Sequence, residues 1–229
     1  GKGPHGDFIA EFDWVVGELL KTLREIHAAD NTIVVVTSDN GPEVTSVVHM
    51  REDHGHDPAR PWRGMKRDNW EGGHRVPMLV RWPGQMPTGS VSDQLCCLTD
   101  LMATLAEVTG ASLPNEAAED SASLLGVWRG EQAEPVHNYV IHQGFGGDRF
   151  LAIRQGPWKL LKNTAVGDNP APAVQLFRLI NAEGGWDDLG EAKNLRAQER
   201  QVAERMLVEL DAWLEQQDAG QPYRNAAYA

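Results

Sequence analysis

Residues 33–37 read Ile-Val-Val-Val-Thr, and two positions later the chain presents Asp39-Asn40-Gly41-Pro42. Consecutive β-branched side chains favour extended backbone, and a run without polar alternation fits a strand covered on both faces. The chain is therefore expected to fold around a buried strand whose carboxyl end carries an acid beside an amide. In open α/β sheets, ligands gather just beyond the carboxyl ends of strands. Asp-Asn-Gly also makes turns unaided. Two outcomes stand at this point: a tight turn, or a site for a hard cation. A carboxylate and an amide carbonyl are both hard oxygen donors, suited to Ca²⁺ or Mg²⁺ and ill suited to zinc or copper. Two donors fall short of the roughly 6–8 oxygens that Ca²⁺ takes. An EF-hand is excluded, because Pro42 and Val44 stand where further acids would be needed.

The surrounding pattern places this strand between helices. Residues 7–28 set Phe8, Phe12, Val15, Leu19, Leu23 and Ile26 at helical steps, which predicts an amphipathic helix. Residues 43–75, rich in His, Arg, Asp, Gly and Pro, show no sustained period and read as a long loop. A second strand is expected over 76–82, closed by Pro83-Gly84. A helix is expected over 98–110, with Thr99 as N-cap and Gly110 at its end. After about residue 135, four short apolar runs (139–142, 149–154, 158–162 and 174–179) separated by Gly, Pro and Asn predict an antiparallel meander. A last helix over 197–217 aligns Val202, Met206, Leu210, Trp213 and Leu214 on one face, and residues 218–229 are expected to fray. The order predicts an α/β portion over 1–134 and a smaller α+β portion over 135–229.

Charge narrows the function. The chain has 21 Lys+Arg against 33 Asp+Glu, a net charge of −12. Nucleic acid is excluded as a partner, since phosphate binding needs a basic footprint. An anionic small substrate is not, because it responds to the local field of a pocket. No window reaches the about 20 apolar residues of a membrane span. Cys96 and Cys97 are adjacent, which gives no disulfide framework; in an apolar stretch they read as buried, inert thiols.

A second constellation, RGMKRDNWEGGHRVP over 63–77, puts Lys66 in a glycine-bearing loop before a strand. An ammonium there can meet an anion or simply stay solvated. Gly72-Gly73 permits close backbone approach, and Arg75 reads as an ion-pair partner. His49, His54 and His56 match no zinc spacing.

Taken together, TSDNGPE and GMKRDNWEGGHRVPMLVRWPG resemble the arylsulfatase-type sulfatases of the alkaline phosphatase-like superfamily. The flanks are similar too: the helix before the strand, the helix LTDLMATLAEVTGASLP after the Lys66 loop, and the final meander. The resemblance implies a fold class of α/β type: a partial alkaline phosphatase-like sheet with flanking helices, then a small antiparallel sheet plus a C-terminal helix. It implies Asp39 and Asn40 as ligands of Ca²⁺, and Lys66 as a catalytic, substrate-binding contact to the sulfate oxygens. It suggests His74, with His56 and His142, as facing the substrate, and it fits a periplasmic or secreted setting. Family members also carry a nucleophile in Cys/Ser-x-Pro-Ser-Arg, matured to formylglycine, together with an Asp-Asp metal pair. Neither Cys96 nor Cys97 lies in that context. The expectation is thus the C-terminal half of a sulfuric ester hydrolase, inactive alone, with formylglycine in the missing half. Its partners would be a sulfate ester and either that half or a second copy in a homo-oligomer. A phosphate or phosphonate ester hydrolase of the same superfamily, or a non-catalytic binding remnant, are the alternatives. Half of a parallel sheet would leave apolar surface and strand edges open.

Overall fold

A computed structural model describes residues 3–114, 116–144, 150–163 and 174–218. Residues 219–229 lie outside the described set, so the expectation of a frayed tail beyond Asp218 has no counterpart here. The chain divides into two compact units, Gly1–Thr88 and Gly89–Ala229. The boundary read from the sequence, between 134 and 135, falls inside the second.

The first unit opens with α1 (Gly3–Glu25) and reaches β1 (Val34–Thr37) through a short turn of 3₁₀-helix, Ala29–Asn31. β1 pairs with β2 (Met78–Arg81), Val34 opposite Arg81 and Thr37 opposite Met78. This pairing is antiparallel, whereas the resemblance implied a parallel sheet. Neither strand is fully buried: β1 is half-buried throughout, and β2 alternates half-buried Met78 and Val80 with exposed Leu79 and Arg81. α1 departs further from expectation. It forms, but Phe8, Phe12, Val15 and Leu19 on the anticipated inner face are exposed, and no residue of the helix is buried. The half-covered stripe is Val16, Leu20 and Leu23.

Residues 43–75 are not one loop. α2 (Val44–His54) occupies the first third, followed later by the short α3 (Glu71–His74). α2 buries only Val47 and Met50, so its apolar stripe is too thin to stand out among charged neighbours. It ends at Gly55 in the left-handed conformation, whose N–H bonds back to Arg51 C=O.

The second unit contains α4 (Asp100–Thr109), α5 (Leu125–Arg129) and a four-stranded antiparallel meander. Its strands, β3 (Val140–Gln143), β4 (Phe150–Gln155), β5 (Trp158–Asn163) and β6 (Val174–Arg178), lie in sequence order. α6 (Arg200–Asp218) packs on β4 and β5. Leu151, Ile153, Leu160 and Leu176 from the sheet meet Ala203, Met206 and Leu210, with Val202, Trp213 and Leu214 at the margin. This is the face that the helical spacing predicted. Gly110 ends α4 in the left-handed conformation as expected, but Thr99 does not cap it. Thr99 is itself helical, and the Asp100 carboxylate instead accepts from Cys97 N–H at 2.7 Å, back across the turn that precedes the helix. Cys96 is exposed and Cys97 half-buried, which corrects the reading of both as buried thiols. They lie in a segment without strand or helix. Among the described residues, no helix is long and apolar enough to cross a membrane.

Candidate functional site

The site is built by backbone meeting backbone. After β1 the chain turns through Asp39-Asn40, and Gly41 N–H donates to Gly73 C=O at 2.9 Å. Lys66 N–H donates to Pro42 C=O at 3.0 Å. These two bonds fasten the acid–amide turn to the Lys66 loop and to α3. The approach is close enough to require glycine: a Cβ on Gly41 would stand 1.8 Å from Gly72 C=O oxygen, and one on Gly73 would stand 2.1 Å from Asp68 C=O oxygen. The glycines in EGGH and the one after Asp-Asn are thus two sides of a single contact.

Beneath it sits a buried acid. Glu71, 1% exposed, takes Arg75 Nε at 2.7 Å and its NH2 at 2.5 Å. The Arg75 guanidinium also stacks on Trp62, 4.5 Å from the ring centre, so Arg75 is the structural ion-pair partner anticipated from its place before β2. His74 Nε2 stands 3.8 Å from Glu71 Oε1 and 3.4 Å from Asn69 C=O. The structure thus places His74 against Glu71. His56 is exposed beyond the end of α2, and His142 belongs to the second unit, in β3.

The proposed cation donors are accessible. Asp39 is exposed, and Ser38 Oγ meets its Oδ1 at only 3.5 Å. Asn40 donates its amide N–H to Gly41 C=O at 2.9 Å, which leaves its carbonyl oxygen as the atom it can offer. The donor chemistry fits a hard cation, but the set does not complete a coordination sphere. Among the described residues, no group of three or more His, Cys, Asp or Glu side chains could hold a metal.

Lys66 Nζ lies 3.6 Å from Glu43 Oε2, and Arg67 NH1 lies 2.8 Å from Glu43 Oε1. The hydrogen bond from Arg67 holds the Glu43 carboxyl below the usual carboxylate range; partial burial opposes this, and Val44 N–H and the charges of Arg67 and Lys66 add to it. Glu43 and Arg67 were not singled out from the sequence. The signal was present, since one follows the Asp-Asn-Gly-Pro turn and the other follows Lys66.

The sulfatase family profile matches residues 3–111. An N-acetylgalactosamine-6-O-sulfatase of Bacteroides thetaiotaomicron is 33% identical over 180 residues, which cover 77% of this chain and 34% of that protein. The steryl-sulfatase of Rattus norvegicus is 37% identical over 140 residues, covering 61% of this chain and 24% of the relative. A structure from work on the metabolism of multiple glycosaminoglycans by Bacteroides thetaiotaomicron superposes with a TM-score of 0.78 at 30% identity. It covers 93% of this chain and 45% of its own. The chain therefore spans about a third of the first of these relatives and under half of the solved structure.

Proposed function

We propose, from the premise that this is a sulfatase-type chain, that Asp39, Asn40 and Lys66 form one part of a site for sulfate-ester hydrolysis. The observation that carries this reading is the pair of backbone bonds, Gly41 to Gly73 and Lys66 to Pro42, that hold the acid–amide turn and the lysine loop together.

The chemistry asks for such a pairing. As a sulfate ester is cleaved, charge sits on the non-bridging oxygens, and groups already aimed at those oxygens lower the barrier. Lys66 binds one oxygen through its ammonium. Its contact with Glu43, at 3.6 Å and half exposed, is loose enough to be exchanged for sulfate at little cost. Asp39 and Asn40 would hold a divalent cation, Ca²⁺ by family likeness. When bound, that ion supplies Lewis-acid neutralisation of a sulfate oxygen. The backbone contact between Gly41 and Gly73 fixes the turn, so both donors are oriented before substrate arrives.

The nucleophile is not placed within these 229 residues, because neither Cys96 nor Cys97 stands in the required context. The rest of the site would come from a further sulfatase-type segment. The exposed apolar residues of α1, Phe8, Phe12 and Leu19 among them, support the need for a partner surface. The test has two parts. Inorganic sulfate titrated into the chain with Ca²⁺ should shift the amide resonances of residues 39–41 and 65–67, and Lys66→Ala should abolish the shifts. A chromogenic aryl sulfate should not be turned over by the pure chain. Sulfate shifts that survive Lys66→Ala would overturn the assignment, and turnover above that variant would overturn the proposed inactivity.

A further inference from the structure

One residue beside Lys66 is held in a conformation its side chain resists. Residues 65–68 form a tight turn, closed by Asp68 N–H to Met65 C=O at 2.9 Å and by Met65 N–H to the Asp68 carboxylate at 2.9 Å. Arg67 occupies the third position of that turn at φ +81°. Glycine takes this conformation freely, whereas a residue with a Cβ resists it. Gly64, three residues earlier, supplies glycine for a similar conformation at φ +82°. Backbone strain of this kind points to a function for the side chain it presents.

The strained turn sets Lys66 and Arg67 side by side, and both reach the same carboxylate. Lys66 Nζ meets Glu43 Oε2 while Arg67 NH1 meets Glu43 Oε1, so two cations divide the two oxygens of one anion between them. Glu43 is itself placed by Pro42, whose carbonyl receives the Lys66 N–H, and by the bond from its own Oε1 to Val44 N–H. All three side chains remain partly open to solvent. Its carboxylate sits where an anionic group of a ligand would bridge the same two cations.

We propose that Arg67 is a second anion-binding residue of the Lys66 site and selects sulfate esters bearing a further carboxylate or sulfate, whose anions displace Glu43 from the two cations. This rests on the reading of Lys66 as the sulfate contact. A simple sulfate monoester carries one charge, which Lys66 and a bound cation already meet. Once Glu43 is displaced, the Arg67 guanidinium, planar and always charged, keeps a partner only when the substrate brings a second anion.

The test compares a monosulfated and a disulfated monosaccharide, each titrated into the chain with Ca²⁺ and followed by NMR chemical shifts. Arg67→Gly is the decisive variant, because glycine suits φ +81° and the fold should be kept. Its thermal midpoint should not fall. It should weaken the disulfated ligand by about two- to five-fold, the range of a solvent-exposed charge contact, and leave the monosulfated ligand unchanged. Glu43→Gln frees both cations and should tighten both ligands. Equal affinities for the two ligands in Arg67→Gly and the parent chain, with Lys66→Ala still abolishing binding, would overturn the role of Arg67 and spare the site. Binding that ignores Lys66→Ala would overturn both.

Discussion

The two units bury apolar surface to very different degrees. In the second, a sheet face and α6 close over Leu151, Ile153, Leu160, Leu176, Met206 and Leu210, each at or below 1% exposure. In the first, the buried apolar residues are Ala29, Val47, Met50 and Ala59, while Phe8 and Trp14 of α1 are 66% and 63% exposed. Its contacts are instead the β1–β2 pairing, the backbone bond from Gly41 to Gly73 and ion pairs such as the buried Glu71–Arg75. One unit is stabilised by transfer of hydrocarbon from water. The other is a precisely spaced set of polar contacts whose apolar faces still await cover. The candidate chemistry lies in the second kind of region, where geometry is fixed locally and stability is not.

The largest single effect is expected in the second unit, where burial extends to an ion pair, Lys159 to Glu191 at 3.0 Å, both at 0% exposure. Glu191→Ala removes the paired carboxylate from a buried ammonium and should cost about 3–5 kcal/mol in chemical denaturation. Leu210→Ala should cost about 2–5 kcal/mol through the cavity it leaves. In the first unit the largest effect should come from adding atoms. Gly41→Ala forces a Cβ into Gly72 C=O and should cost about 1–3 kcal/mol, read as faster amide exchange in residues 39–41 and 65–73 with β4–β5 unchanged.

Acid should separate the units by sign. Burial pushes the Asp57 carboxyl upward, but hydrogen bonds from Arg51, Ala59 N–H and Arg60 prevail and hold it below the usual range. Its contribution is present above the unfolded carboxylate value and is lost as pH falls through the folded one. Burial, with Glu119 nearby and His137 opposing, raises Asp120 in the second unit. That contribution is present below the unfolded value and is lost as pH rises through the folded one. Amide exchange followed from pH 6 to pH 3 should show protection around Asp57 falling while that around Asp120 is favoured. The smallest effect should be Phe12→Ala, within about 0.5 kcal/mol, since α1 buries none of its residues. A loss of several kcal/mol there would break the contrast.

What could be read from the sequence follows the same division. The meander and α6 were legible because apolar periodicity there reports real burial: Met206 and Leu210 are both at 0% exposure. The same rule failed in α1, where Phe8, Phe12, Val15 and Leu19 repeat at helical steps yet face outward. Periodicity shows which face is apolar and is silent on what covers it. α2 was hidden because Val47 and Met50 are too few to make a period. The two motifs of the site were visible as residue types, but the bond from Lys66 to Pro42 joins positions 24 apart and no local pattern encodes it. Glu43 and Arg67 each stand beside a motif residue in the sequence, but their pairing is made only where Arg67, in the turn at residues 65–68, reaches Glu43.

The account stands on a shared location for the oxygen donors and the ammonium. A paramagnetic lanthanide substituted for Ca²⁺ would report this directly by broadening nearby resonances. The account predicts that sub-stoichiometric ion broadens residues 39–41 first and the Lys66 side-chain methylenes with them, and that Asp39→Ala removes both effects. Broadening at other carboxylates, with Lys66 untouched, would contradict it.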